Sequence, residues 1–225
     1  MTSEILHQSS WARSANGKAI ELFSAKHQNE RPILFIGGVH GDEPEGVELA
    51  KKFLAWLQKN NKPNLYSWLL IPCLNPDGYE KNERTNGNGV DLNRNFPSSD
   101  WDSHAKAPRY NPGTKPASEP EVRALVELIK KENPLVIIHF HSWEPCVVYT
   151  GAPGKAWAET LAEGTGYTAR EDIGYPTPGS LGQYGWLECQ TPVVCVEEQE
   201  HIDLATIWPR FSSGLQRVLS ISNSF

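Results

Sequence analysis

The chain has 225 residues, a length that favours one α/β core large enough to be well buried. Apolar residues make up 39 % and charged residues 21 %, and 8 Trp, 7 Tyr and 7 Phe call for a packed interior, which excludes an intrinsically disordered chain. Lys plus Arg at 21 against Asp plus Glu at 27 gives a net charge of −6, which argues against nucleic-acid binding and obliges any anionic ligand to find a local cationic patch.

The first eleven residues, MTSEILHQSSW, contain neither a basic nor an apolar signal region, and no apolar run approaches the roughly 20 residues of a membrane span. The expectation is a cytoplasmic protein with no membrane partner. Cys73, Cys146, Cys189 and Cys195 show no CxxC spacing and are expected as free thiols. Ile33–Ile36 is an apolar run ended by Gly37 and Gly38 and reads as a buried strand. Residues 44–61 follow as a helix, with Val47, Ala50, Phe53, Leu54 and Leu57 at helical spacing, acids in the first turn and lysines later. Trp68–Ile71 reads as a second strand. Residues 75–115 are polar, rich in Gly and Asn and without periodicity, and loops this long in a compact domain are usually functional.

SEPE at 118–121 predicts a capping box, with Ser118 as N-cap and Glu121 three residues on, opening a helix with Val122, Leu125, Val126 and Ile129 inward. Residues 135–140 read as a third strand, 156–163 as a helix, 192–196 as a fourth strand and 203–219 as a terminal helix, with Trp208, Phe211 and Leu215 on a core face. Alternating strands and helices predict an α/β fold, a three-layer α/β/α sandwich around a mixed, largely parallel sheet, in a single domain spanning 1–225.

His40 and Glu43 fall between the first strand and the first helix, where open α/β sheets bind ligands. Both are acceptable zinc ligands, although HxxE alone more often describes a surface His beside a helix N-terminal acid. His139 and His141 are two apart and share a strand face. His141, nearer the strand end, is the expected ligand; His139 is expected to be a core or supporting histidine. The set His40, Glu43 and His141 leaves one position for water, as hydrolytic zinc sites do. Glu197 follows an apolar strand and is the expected general base, with Glu198 in reserve. Arg84 and Arg94 offer permanently charged donors for an oxyanion or a carboxylate, though out of context Arg94 reads equally well as a surface salt-bridge partner.

In chain order, His40-x-x-Glu43, then Asn75-Pro-Asp-Gly78, then GVDLNRNF over 89–96, then His141-Ser142, resemble the zinc carboxypeptidase family. GVDLNRNFP, the SEPE helix start and GYPTPGS over 174–180 are similar to its bacterial murein tripeptide amidase branch, which cuts the amide between D-glutamate and meso-diaminopimelate in cell-wall peptides. The likeness runs from about Gly37 to Glu197. It implies a zinc carboxypeptidase-like fold and one Zn²⁺ per chain on His40, Glu43 and His141. Arg84 then polarises the scissile carbonyl, Asn93 and Arg94 grip the terminal carboxylate, and Glu197 is the base. Two departures stand out: Ser180 to Glu197 is about one residue longer than the family pattern, and Tyr175 is one place out of register for the mobile substrate-binding tyrosine, with Tyr184 as a substitute.

The implied reaction is promoted-water hydrolysis of an amide next to a free carboxylate, and the implied partner is a small murein peptide. Leu181, just past Ser180, is expected in the floor of the side-chain pocket, where it offers no charge. A general peptide metallocarboxypeptidase would use the same residues. An aspartoacylase-type deacylase shares HxxE and a later His but gives no reason for GVDLNRNFP, and a non-enzymatic binding module gives no reason for the full catalytic set. Oligomeric state is not readable from the sequence.

Overall fold

The computed structural model describes residues 4–27 and 31–220. Residues 1–3 of the N-terminal stretch read for an export signal lie outside the described residues, as do 28–30 and 221–225. Eight strands form one mixed sheet: β1 (Leu6–Arg13), β2 (Ala19–Ala25), β3 (Ile33–Ile36), β4 (Trp68–Ile71), β5 (Val136–Trp143), β6 (Cys146–Thr150), β7 (Thr168–Arg170) and β8 (Val193–Gln199). Their order is β1-β2-β4-β3-β5-β8-β6-β7. The central block β4-β3-β5-β8 is parallel, whereas β1 with β2, β2 with β4 and β6 with β8 are antiparallel.

The central strands read as unbroken apolar runs because helices cover both faces. Ile33 and Phe35 join the layer of α1 (Pro44–Asn60), α4 (Gly154–Ala162) and α6 (Ile207–Leu219). Leu34 and Ile36 point the other way, into α3 (Pro120–Glu132) and the short α5 (Leu181–Gln183), which continues as a π-helical turn over Tyr184–Glu188. Each buried aliphatic or Phe side chain contributes about 1.5–3 kcal/mol, enough to offset the roughly 1–2 kcal/mol lost in ordering each backbone residue of such a strand. Phe211 and Leu215 are fully buried and Trp208 packs partly buried against the same cluster, as the helical pattern predicts. The four cysteines are free, and no helix among the described residues is long and apolar enough to cross a membrane.

Several predicted boundaries move. No strand is predicted before Ile33, yet β1 and β2 form an antiparallel edge there. β5 and β8 run beyond residues 140 and 196, because they stay paired from Ile137 with Val193 to Trp143 with Gln199. The loop over 75–115 is not bare, since it holds α2 (Pro76–Lys81) and 3₁₀ turns at Leu92–Arg94 and Pro108–Tyr110. The terminal helix starts at Ile207, after a 3₁₀ turn at Leu204–Thr206.

The predicted capping box does not form. The N-cap of α3 is Glu119, and its side chain makes no capping bond. Ser118 Oγ donates to Glu119 Oε1 and accepts from Asn95 Nδ2, while Glu121 accepts from Ala15 N and Asn86 Nδ2. Glu119 also accepts from Asn86 and Asn88, both at 2.8 Å. The acids of SEPE therefore tie down the long loop instead of the helix end.

Two glycines bring the site together. A Cβ on Gly46 would sit 2.3 Å from Phe140 O, so only glycine lets the first turn of α1 reach the backbone of β5. On Gly41 it would meet the Gly78 backbone carbon at 2.0 Å, which fixes the His40–Glu43 turn against α2.

Candidate active site

His40 and Glu43 lie in the turn between β3 and α1, and Glu43 is the residue preceding Pro44 at the helix start. Its carboxylate does not cap α1; it turns to His40 Nδ1 at 2.7 Å and His141 Nδ1 at 2.7 Å. The two Nδ1 atoms are 3.0 Å apart, and all three residues are buried. His40 Nε2 donates to Asp91 Oδ1 at 3.0 Å, which leaves His40 Nδ1 as a bare lone pair. His141 Nε2 faces His139 Nδ1 at 2.8 Å, and with the shared proton on Nε2 the His141 Nδ1 is bare too. Two imidazole Nδ1 atoms and a carboxylate thus converge within 3.0 Å of one another, a donor set that fits a cation. Their spacing lies within reach of one ion with bonds of about 2.0–2.2 Å, as zinc makes to N and O ligands. His139, buried beside His141, has its Nδ1 2.8 Å from His141 Nε2.

Asp91, buried at the start of the Leu92–Arg94 turn, accepts from His40, from Arg84 Nε at 2.9 Å and from Asn93 N at 2.9 Å. Burial alone would raise its pKa, but His40 and the Arg84 guanidinium beside it hold it well below the usual carboxylate range. Arg84 also reaches Glu43 Oε1 at 3.2 Å, so Asp91 and Arg84 brace the His40–Glu43 turn from one side.

Glu197 and His141 are register partners on β8 and β5 and line one cavity of about 260 Å³, together with His40, Glu43, Arg84 and Arg94. Successive strand residues face opposite sides, which separates the two candidate bases. Glu198 is buried on the other face, where it takes the Tyr167 hydroxyl and pairs with Arg210. Glu197 accepts a hydrogen bond from Cys195 Sγ at 3.2 Å. Burial, and then the charge of Glu43, push its pKa from 4.5 up to about 8.

This shift makes a stability prediction for the metal-free protein. A carboxyl whose folded pKa is raised contributes stability that is complete below about pH 4.5 and is lost as pH rises towards 8. Thermal melts of the metal-free chain are expected to fall over that window, and the fall is expected to shrink in Glu197→Gln. Identical pH profiles for the two proteins would refute it.

Arg94 is buried, with 8 % of its surface exposed, and donates to Asn93 O at 2.7 Å; among the described residues no carboxylate pairs with it. Asn93 Oδ1 accepts from Leu181 N at 2.9 Å, which leaves the side-chain NH₂ as the group available to a ligand. Tyr175 lines the cavity at 41 % exposure and meets Trp143 edge-to-face, with ring centroids 5.6 Å apart. Tyr184 is not its substitute, because it is buried against Phe96 in the core. Leu181 is likewise in the core; Ser180, Gly182, Thr150 and Val193 line the cavity where Leu181 was expected.

The sequence profile of the zinc carboxypeptidase family matches residues 1–172. The chain belongs to the zinc carboxypeptidase family. Murein peptide amidase A of Escherichia coli (strain K12) is 33 % identical to this zinc carboxypeptidase over 185 residues, which cover 77 % of the chain and 74 % of the relative. Its counterpart from Vibrio campbellii is 29 % identical over 205 residues, 86 % and 79 % of the two chains. The crystal structure of murein-tripeptide amidase MpaA from Escherichia coli O157 superposes with a TM-score of 0.79 at 27 % identity, covering 96 % of this chain and 93 % of that one. Carboxypeptidase A of Helicoverpa armigera shares the fold, with a TM-score of 0.78 at 16 % identity over 96 % and 67 %. The family is a family of zinc peptidases, and the acceptor cluster of His40, Glu43 and His141 fits that metal.

Two residues of this zinc carboxypeptidase's site go unmarked by sequence reasoning. Asp91 sits inside GVDLNRNF, and only its three hydrogen bonds reveal that it holds His40 and Arg84 at once. Tyr110, in the featureless part of the loop, turns its ring to the guanidinium groups of Arg84, Arg94 and Arg109. No spacing in the sequence signals that.

Proposed function

We propose that this zinc carboxypeptidase is a cytoplasmic murein peptide amidase, which hydrolyses the amide between γ-D-glutamate and meso-diaminopimelate with one Zn²⁺ per chain. The observation that carries the reading is Arg94, a buried guanidinium in no ion pair among the described residues, which opens onto the same cavity as the acceptor cluster and Glu197. A buried cation left unpaired is costly, so the site is set for an anionic ligand. The likeness to murein peptide amidases, over 77 % and 86 % of this chain, supports the diaminopimelate peptide over an ordinary C-terminal residue.

In this reading His40, Glu43 and His141 hold zinc. When bound, the metal supplies Lewis-acid activation of the attacking water and of the scissile carbonyl. Arg94 and the Asn93 NH₂ bind the free carboxylate of the leaving residue and so place the amide over the metal ligands. Glu197 takes the proton of the attacking water and returns it to the leaving amine; burial raises its basicity for that task. Arg84 retains N–H groups beyond those given to Asp91 and Glu43, and these face the oxyanion that develops at the carbonyl. Asp91 keeps His40 in the tautomer that presents Nδ1, and His139 does the same for His141. Tyr175, on the exposed rim, covers the bound peptide.

The test is cleavage of L-Ala-γ-D-Glu-meso-diaminopimelate, a hippuryl dipeptide and N-acetylaspartate in parallel, with metal analysis. The expected result is preferential cleavage of the first, loss of activity on chelation, recovery with zinc and one metal per chain. Activity indifferent to chelators overturns the metal assignment. Preference for the hippuryl peptide overturns the murein assignment and leaves a general carboxypeptidase.

A further inference from the structure

The reaction above employs two arginines of the cavity, Arg84 and Arg94. The cavity holds a third, Arg109. All three guanidinium carbons lie over the ring of Tyr110, at 5.2 Å for Arg84, 5.7 Å for Arg94 and 5.6 Å for Arg109 from its centroid. An aromatic face attracts each of them, so Tyr110 gathers three like charges that would otherwise spread apart. Their partners differ. Arg84 is held by Asp91 and Glu43, and Arg94 is buried and in no ion pair among the described residues. Arg109 is 54 % exposed and meets Asp42 Oδ2 at 3.2 Å, with Asp42 itself 27 % exposed.

The arc has a direction. Arg94 stands at the end where Asn93 meets Leu181, on the side of the leaving group. Arg109 stands at the end where Asp42 precedes Glu43, on the side of the metal-ligand turn, with Arg84 between them. A peptide laid along the cavity with its leaving-group carboxylate on Arg94 and its carbonyl at Arg84 carries its acyl residue towards Arg109. An exposed pair such as Arg109–Asp42 contributes little, so its guanidinium is available to exchange a partner for a ligand.

We propose that Arg109, carried on the ring of Tyr110, is a specificity-determining residue that receives a second carboxylate on the acyl side of the scissile amide. An acidic acyl residue presents such a group: when it is linked through its side-chain carboxyl, its α-carboxylate stays free on the acyl side of the amide that is cut. A neutral acyl residue has no anion at that place. The inference rests on the murein-peptide reading above and adds the residue that distinguishes acidic from neutral acyl residues.

The experiment compares two peptides of the full-length zinc-loaded enzyme, L-Ala-γ-D-Glu-meso-diaminopimelate and the same peptide with the D-Glu α-carboxylate converted to carboxamide. Wild type is expected to prefer the carboxylate form. Arg109→Gln is expected to lower kcat/KM for that form about tenfold, the size of one lost charge-assisted hydrogen bond, mainly through KM. The carboxamide form is expected to lose far less, and Arg109→Lys to recover part of the preference. A wild type that cleaves both forms equally, or an Arg109→Gln variant that loses both equally, overturns the Arg109 assignment and leaves the murein reading intact. A wild type that cleaves neither form but cleaves a hippuryl dipeptide overturns the murein reading and this inference with it. Arg109 is a surface residue, and thermal melts of both variants are expected to match wild type.

Discussion

Glu197→Gln is expected to lower kcat about 10³-fold, within the range for a lost general base, while zinc content and KM stay near wild type. The substitution keeps shape and burial and removes only the ability to take and return a proton. Glu197 touches none of the three metal acceptors, so the metal is retained. The control is its neighbour. Glu198 is buried with Tyr167 and Arg210 on the opposite face, and Glu198→Ala strands that arginine beside a vacated carboxylate site. Arg210 is 28 % exposed, so the destabilisation falls short of the roughly 3–5 kcal/mol of a fully buried broken pair. Glu198→Ala is therefore expected to melt lower and keep its kcat per folded molecule. The reverse pattern, with activity surviving in Glu197→Gln and vanishing in folded Glu198→Ala, would move the base to Glu198.

The sheet centre was legible because burial on both faces writes it as unbroken apolar runs, ILFI and WLLI, each entered and left by turn residues. Its edges were not. β1 reads LHQSSWAR and is mostly exposed, so its pairing with β2 rests on backbone hydrogen bonds that leave little trace in side-chain pattern. The polar ends of β5 and β8 escaped for a related reason: His141 and Glu197 are strand residues whose inward face is a cavity and not a core. That same fact made the site readable, because a His or Glu at the end of a buried strand has few other uses.

What failed shares one cause, competition for hydrogen bonds by residues distant in sequence. SEPE has the letters of a capping box, yet Asn86, Asn88 and Asn95 claim its oxygens from across the loop. Asp91 carries no signal of its role because its partners are 51 and 7 residues away. Leu181 and Ser180 are adjacent, and the one in the cavity is decided by the turn into α5, where Ser180 accepts from Gln183 N and Leu181 swings into the core.

Arg94→Gln is expected to lower kcat/KM at least about 10²-fold on peptides with a free leaving-group carboxylate, the loss that follows truncation of one partner in a buried, hydrogen-bonded charge pair. The same peptides with that carboxylate amidated are expected to change little, since wild type gains nothing from the guanidinium there. A second readout separates a ligand clamp from a structural arginine. In the ligand-free protein Arg94 is buried and in no ion pair among the described residues, so its charge is a cost to the fold that Asn93 O and the Tyr110 ring offset only in part and that ligand relieves further. Glutamine removes the charge without opening a large cavity, and the ligand-free variant is expected to melt at or above the wild-type temperature. Activity and stability then move in opposite directions, as they do where a site is held strained for its ligand. An Arg94→Gln protein that melts lower and loses both substrates alike would show that the arginine serves the fold, and would remove the anion site on which the proposed reaction depends.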